Sequence, residues 1–481
     1  MTGQRVLSVI GMMLMLFSFT LLVPLLLSYW YQDTTAEYFL FGMVAMFSAG
    51  ALLWLPTRHR RQDLSHRDGF LVVALFWVVL GGFSALPLQM ILGLDWVDAV
   101  FEAVSAFTTT GATVLTGLDG MPPALLFYRQ QLQWYGGMGV VVLAIAVLPM
   151  LGVGGMQLFR AETPGPVKDE KIAPRITRCA RAFWMIYLGM TCACALAYWL
   201  AGMTVFDAVA HSLSTISTGG FSTHDSSMAY FDNTAIELVA VLFMVLGGVN
   251  FSIHYFAIAS ASPRPYWRDV EVRAYVAMIL GVFALVAFDL AHAHYHQGLG
   301  EILRASLFQT VSVITSTGFL TEDFSHWPDF APLLLFYVSF VGGCAGSTAG
   351  GMKVLRILVV LKQAGRDLIR CVHPRLVRPL KLAGRVLPHE VVNAVWGFFA
   401  LYVALFVVFM LCLMALGVDQ VSAFSAVATC MNNLGPGLGQ VAENFQNFPE
   451  AGKWVLVLAM LMGRLEIYTL LVLLLPSLWR R

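Results

Sequence analysis

The chain has 481 residues, of which 58% are hydrophobic and 12% charged, with a formal net charge of +1 and a mean hydropathy of +0.75. A typical soluble domain carries about 25% charged residues, so composition excludes a soluble enzyme or a nucleic-acid-binding module. The apolar residues also lie in long runs, as a lipid bilayer requires.

Ten such runs follow in chain order: 6–31, 38–55, 70–92, 124–152, 182–203, 235–260, 274–293, 330–361, 391–417 and 453–478. The first is too long for a signal-peptide core and lacks a small-x-small cleavage site, so it is expected to remain as a helix. Charge is distributed unevenly between the runs. Arg5, the stretches 57–68, 160–181, 261–273 and 353–385, and Arg480–Arg481 hold 25 of the 29 Lys and Arg. With ten spans and both termini inside, every one of these stretches faces the cytoplasm. The opposite loops carry acids, among them Asp33, Glu37, Asp95, Asp119, Asp225, Glu322, Asp323, Asp329, Asp419 and Glu443. The seven cysteines form no CxxC pair, and packing is their expected role.

Four short apolar segments interrupt the long ones. The first is led by Phe101 and ends in "FTTTG", with Thr108, Thr109 and Thr110 before Gly111. The second is led by Phe206 and ends in "TISTG", with Ile216, Ser217 and Thr218 before Gly219. The third runs from Phe308 to "ITSTG", with Thr315, Ser316 and Thr317 before Gly318. The fourth runs from Phe424 to "MNNLG", with Asn432, Asn433 and Leu434 before Gly435. Each lies between two full spans, so the chain repeats one unit four times behind an extra helix pair.

Ten to thirteen helical residues reach only roughly 15–20 Å, short of a hydrocarbon core about 30 Å thick. These segments are expected to enter the membrane and return, which is tolerated only where protein or a water-filled cavity surrounds the turn. Four half-helices entering from outside would aim their C-terminal carbonyls and negative dipole ends at one axis. The hydroxyl-rich glycine turns would add further backbone oxygens. A ring of carbonyl dipoles can replace the hydration shell of a monovalent cation without a full negative charge.

The fold class expected is therefore an all-α polytopic membrane protein. It would have ten transmembrane helices and four re-entrant half-helices in a pseudo-four-fold repeat, behind an N-terminal helix pair. The units fall at 1–66, 67–160, 161–265, 266–385 and 386–481.

"STGGFST" at 217–223, "TSTGF" at 315–319 and "NNLGPGLG" at 432–439 carry a resemblance. With the four-fold arrangement, the chain resembles the Trk/Ktr/HKT superfamily of potassium transporters over nearly its whole length, and is most similar to its TrkH branch. The resemblance implies that the four glycines and the residues before them line a potassium path. It also implies a homodimer in a bacterial inner membrane. Potassium is the substrate implied, and no cofactor is expected in this chain. A glycine at 111 fits potassium, because serine there is associated with relatives that accept sodium.

"GGCAGSTAGG" at 342–351 interrupts the eighth span with small residues. Gly342, Gly343, Gly346, Ser347, Thr348, Gly350 and Gly351, followed by Lys353, resemble the family's intramembrane gating loop. A close helix-packing patch is the alternative reading. Lys353 is expected to reach toward the cytoplasm. Arg464 lies in the last span, where a charge costs several kcal/mol unless it meets a partner. It is expected to face the interior near the loop, either as a barrier to cations or as a structural arginine on backbone carbonyls; Glu466 is a poor direct partner for it at this spacing. His211, His254 and Asn250 read as packing or interfacial residues, and Asp98 and Asp207 as caps or first-turn acids.

The basic stretch 362–385 serves topology and anionic headgroups, or docks a soluble partner. The resemblance implies one such partner, the nucleotide-binding ring TrkA. A conducting pore and a symporter coupled to sodium or protons both fit the sequence. An embedded enzyme would need a motif such as HExxH, and none is visible.

Overall fold

The computed structural model describes residues 2–58, 66–146, 172–295, 298–375 and 379–476. Most of the basic stretch 160–181, the end of the fourth run and Arg480–Arg481 lie outside them.

Thr2–Ser18 and Leu22–Tyr31 run on through a single 3-10 turn at Phe19–Leu21, and Ala36–Trp54 packs beside them. Two glycines set that approach: a Cβ on Gly11 would come 2.6 Å from the Gly50 carbonyl oxygen, and one on Gly50 would come 2.6 Å from that of Gly11. Small residues allow such contact in lipid, where apolar side chains alone give helices little reason to associate.

Four units follow, each a long helix, a half-helix, an irregular turn and a second helix. The long helices are His66–Leu92, Ile172–Leu200, Val270–His292 and His389–Ala415. The half-helices Trp96–Phe107, Val205–Ser217, Leu299–Ile314 and Gln420–Asn432 have 12, 13, 16 and 13 residues. The third is longer than the sequence suggests because it begins well before Phe308. All four remain too short to cross, at about 1.5 Å per residue.

The returning helices differ. Pro123–Ala146 is continuous. Thr234–Gly247 and Phe251–Ala259 form a pair bent by 97°, and Glu450–Arg464 is bent by 109° from Tyr468–Leu474. Runs 235–260 and 453–478 therefore each hold a sharply bent helix pair. Asn250 causes the first restart by capping Ser252 N. Glu466 and Ile467, both at positive φ, turn the second. Phe330–Ser339 and Val354–Val372 flank the expected break in the eighth run. Among the described residues six helices are long and apolar enough to cross a membrane, and eight when the bent pairs are counted. Ten crossings are consistent with this, since Pro123–Ala146 and the broken eighth run hold the remaining two places.

The apolar core has two large parts. One joins the N-terminal pair to the first and fourth units, with Trp77, Phe101, Phe107 and Leu456. The other joins the second and third units, with Tyr187, Tyr275 and Phe308. The half-helices sit at the centre; every residue from Ala99 to Phe107 is buried. A two-stranded hairpin, Lys381–Leu382 with Arg385–Val386, is the one departure from an all-helical fold among the described residues. Its turn is Ala383–Gly384, both at positive φ, the dihedrals a two-residue hairpin loop favours.

Candidate functional site

Each half-helix ends in the same way. The N–H five residues on closes back to a helix carbonyl: Thr110 to Ser105, Gly219 to Ser214, Thr317 to Ser312 and Leu434 to Thr429, at 2.8, 2.9, 2.9 and 2.9 Å. This is the Schellman closure, which needs a left-handed residue just before the donor. Thr109, Thr218, Ser316 and Asn433 take that place with φ of 53°, 53°, 51° and 53°. Left-handed backbone is costly for a β-branched threonine, so Thr109 and Thr218 are strained.

A left-handed glycine follows two residues later: Gly111, Gly220, Gly318 and Gly435, at φ 80°, 79°, 81° and 99°. In the second unit this corrects the sequence alignment by one residue. The glycine equivalent to Gly111 is Gly220 rather than Gly219, and the turn is Ser217–Thr218–Gly219–Gly220. Ile216 thus falls one step before the turn, inside the half-helix.

Alternating right- and left-handed residues place the N–H groups on one side of the strand and the carbonyls on the other. Here the N–H groups turn back onto the half-helices. Among the described residues, no hydrogen bond is directed to the carbonyls of Thr109, Thr110, Ser316, Thr317, Asn433 or Leu434. The turns also meet in cyclic order. A Cβ on Gly111 would overlap the Gly219 carbonyl, one on Gly220 that of Thr317, and one on Gly318 that of Leu434, while one on Gly435 would sit 3.0 Å from that of Thr110. The four glycines thus abut their neighbours in a closed ring.

Side chains behind the turns hold them. Thr108 Oγ1 donates to Val104 O at 2.7 Å and lies 2.7 Å from Thr110 Oγ1. Thr315 repeats this with Val311 O at 2.8 Å and Thr317 Oγ1 at 2.7 Å. In the fourth unit the amide of Asn432 accepts from Tyr402 at 2.5 Å and donates to Ser339 at 2.9 Å. Asn433 Nδ2 crosses to Thr110 Oγ1 at 2.9 Å.

The small-residue loop lies against the bases of these turns. Gly342, Gly346, Gly351 and Lys353 have positive φ, so the eighth run is an irregular loop rather than a close-packed helix. Thr348 Oγ1 donates to Ile216 O at 3.0 Å and to Gly247 O at 3.1 Å. Gly350 N donates to Ser316 Oγ at 2.5 Å, and a Cβ on Gly350 would overlap the Asn432 carbonyl. Ser347 Oγ closes on Cys344 O at 2.6 Å, and a Cβ on Gly343 would come 2.6 Å from that of Ala349. Glu271 Oε1 accepts from Ala345 N and Leu355 N at 2.7 and 3.1 Å.

Arg464 is 4% exposed and donates through Nη1 to Thr348 O at 2.9 Å and through Nη2 to Gly136 O at 3.4 Å. Lys353 does not reach out to the cytoplasm: it is buried and its Nζ donates to the Ala349 carbonyl. Glu466 pairs instead with Arg356, at 2.5 Å.

Glu102, Arg129 and Lys453 had no place in the sequence reading. Glu102 and Arg129 form a buried pair at 2.8 Å; Glu102 also accepts from Val114 N at 2.9 Å, and Arg129 lies 4.1 Å over the Phe221 ring. Asp98 is a first-turn acid as expected, and it also pairs with Lys453 at 2.6 Å. Asp207 is a first-turn acid as expected; Thr204 is the cap, accepting from Asp207 N at 3.1 Å. His211 bridges Asp207 O and Ser222 Oγ at 2.9 and 3.0 Å, and His254 contacts Tyr266 and Leu246 O at 2.7 and 3.0 Å, both consistent with structural roles.

These features define a polytopic helical membrane transport protein built from four half-helix units. The family model for a cation transport protein, TrkH, matches residues 36–480, and the chain belongs to that family. It is 51% identical to the Trk system potassium uptake protein TrkH of Vibrio parahaemolyticus over the full length of both chains. It is 47% identical to the protein of that name from Escherichia coli K12, covering 98% of each. The crystal structure of the potassium transporter TrkH from Vibrio parahaemolyticus superposes with a TM-score of 0.93 at 49% identity, covering both chains completely.

Proposed function

We propose that this protein takes up potassium across the bacterial cytoplasmic membrane, with both termini inside, through the ring of four glycine turns. The observation that carries this reading is the cyclic abutment of Gly111, Gly220, Gly318 and Gly435 on their neighbours' carbonyls, with unpaired carbonyls at matching positions in the first, third and fourth turns among the described residues. Fixed carbonyl dipoles at close quarters suit a monovalent cation that sheds its water. The four units at 67–160, 161–265, 266–385 and 386–481 each supply one turn.

The loop Gly342–Lys353 is the gate in this reading. Its contacts to Ile216, Ser316 and Asn432 put it across the inner end of the ring, and Arg464 holds it there. A fixed positive charge beside the path also repels cations while the loop is closed. The relatives are named as parts of a Trk system, which supports a separate partner subunit; in this reading that partner is nucleotide-binding and TrkA-like and meets the basic cytoplasmic face, and the chain assembles as a homodimer, as the family resemblance implies.

The test is ion flux into proteoliposomes holding the protein alone, under potassium or sodium gradients, with Gly318→Ser beside the wild type. Potassium-selective flux that loses selectivity in the variant is expected. Equal passage of both ions in both proteins would overturn the reading.

A further inference from the structure

The second turn differs from the others at the carbonyl just before its left-handed glycine. The equivalent oxygens of Thr110, Thr317 and Leu434 accept nothing among the described residues, whereas Gly219 O accepts from Gln133 Nε2 at 2.6 Å. Gln133 is wholly buried and comes from Pro123–Ala146 of the first unit. Its Oε1 accepts from Ser214 Oγ at 2.7 Å and from Phe221 N at 3.2 Å. A backbone acceptor at one end and a backbone donor at the other fix which way the amide points.

A second observation agrees. Gly219 is not among the positive-φ glycines, so the turn does not demand glycine there. A Cβ on Gly219 would overlap the Gln133 amide. Gly220 makes the turn, and Gly219 makes room for Gln133.

Among the described residues no other unit carries this contact. The returning helices press on the half-helices at Gly136 against Phe107 O, Gly247 against Ile216 O and Gly463 against Met431 O. Three residues before each stand Gln133, Met244 and Met460. Two of these positions are apolar, and one donates a hydrogen bond.

The geometry points to Gln133 as a selectivity-determining positioning residue, which holds the Gly219 carbonyl and makes one oxygen of the ring unlike its three counterparts. This rests on the reading that the four turns conduct potassium. Discrimination depends on the number, field strength and freedom of the oxygens around the ion. A carbonyl tied by a short bond gives less lone-pair density to an ion and moves inward less readily. Sodium, the smaller ion, needs that inward movement more than potassium does.

The experiment measures the potassium-to-sodium permeability ratio, from reversal of flux in the same proteoliposomes, for wild type, Gln133→Met, Ser214→Ala and Gly318→Ser. A ratio taken within one preparation does not depend on how much protein is folded. Gln133→Met copies the residue of the second and fourth units and is expected to lower the ratio about two- to tenfold, the worth of one neutral hydrogen bond. Ser214→Ala loosens the amide and should lower it less. An unchanged ratio in Gln133→Met, with selectivity lost in Gly318→Ser, would overturn the role of Gln133 and leave the ring intact. Should Gln133→Met give no flux, Ser214→Ala decides: a lower ratio supports the role, an unchanged one removes it. No change in any variant would mean that the four-turn reading itself fails.

Discussion

The guanidinium of Arg464 donates to the carbonyl of Thr348 at 2.9 Å, joining the last helix of the fourth unit to the loop of the third. Because the loop also reaches Ile216, Ser316 and Asn432, one arginine bears on the ends of three of the four half-helices. A hydrogen bond from a charged donor contributes about 1.5–3 kcal/mol. Arg464→Met should therefore shift the loop toward open and raise rubidium flux through the protein alone about tenfold or more. Unchanged flux would show that Arg464 only fills its site.

The ring predicts that Gly220 and Gly318 are equivalent. Gly220→Ala puts a Cβ at φ 79° and onto the Thr317 carbonyl, a position with no room and an unfavourable dihedral. Gly220→Ala should abolish selective potassium flux as severely as Gly318→Ala does, with potassium and sodium fluxes as the readout. If Gly220→Ala behaves as wild type while Gly318→Ala fails, the one-residue register shift in the second unit is wrong.

Much of this arrangement is legible in the sequence because a bilayer leaves few solutions. Half-length apolar segments between full spans can only enter and return, so the half-helices and their turns follow from counting residues. The second register is not legible, since Gly219 and Gly220 look alike until dihedrals and the Gln133 contact separate them. Nor are the pairings that join distant segments, such as Asp98 with Lys453. The signal that marks Arg464 extends to three other cations. Only Arg129, Arg304, Lys453 and Arg464 fall outside the cytoplasmic stretches that topology explains. Each is tied to another part of the chain: to Glu102, to Glu237 at 2.7 Å, to Asp98, and to Thr348 O. A cation that topology does not require points to a buried partner.

Glu102 and Arg129 give a stability prediction. Their side chains are 0% and 1% exposed, and Arg129 also reaches Thr113 Oγ1 at 3.2 Å and Ser222 O at 3.4 Å, so the pair braces the seam between the first two units. Glu102→Gln leaves a buried guanidinium without its counter-charge, at a cost of about 3–5 kcal/mol. Glu102→Leu combined with Arg129→Met removes both charges and should recover most of that loss. Thermal unfolding in detergent checks both, and a double variant no better than the single one would refute the account.

His224 closes the outer end of the same seam. Its Nδ1 pairs with Asp119 and its Nε2 lies 3.5 Å from Asp207 Oδ1, with the ring stacked on Tyr230 at 3.4 Å and edge-on to Phe231; the charged or titratable groups facing it are Asp207, Asp119, Tyr230 and the buried His211. Burial works against a charged imidazole here, but the hydrogen bonds and charges of Asp207 and Asp119 outweigh it and raise the pKa above its ordinary value. A raised pKa in the folded state means that the protonated ring stabilises the fold. That contribution is complete below the unfolded value of about 6.5 and disappears as pH rises through the folded one. His224→Gln should thus be less stable than wild type in acid, with the gap closing as the medium becomes alkaline. Melting temperatures measured across that range decide it. A gap of constant size would mean that the ring acts through its stacking on Tyr230 and its neutral contacts alone, and that the two aspartates do not bind a charge there.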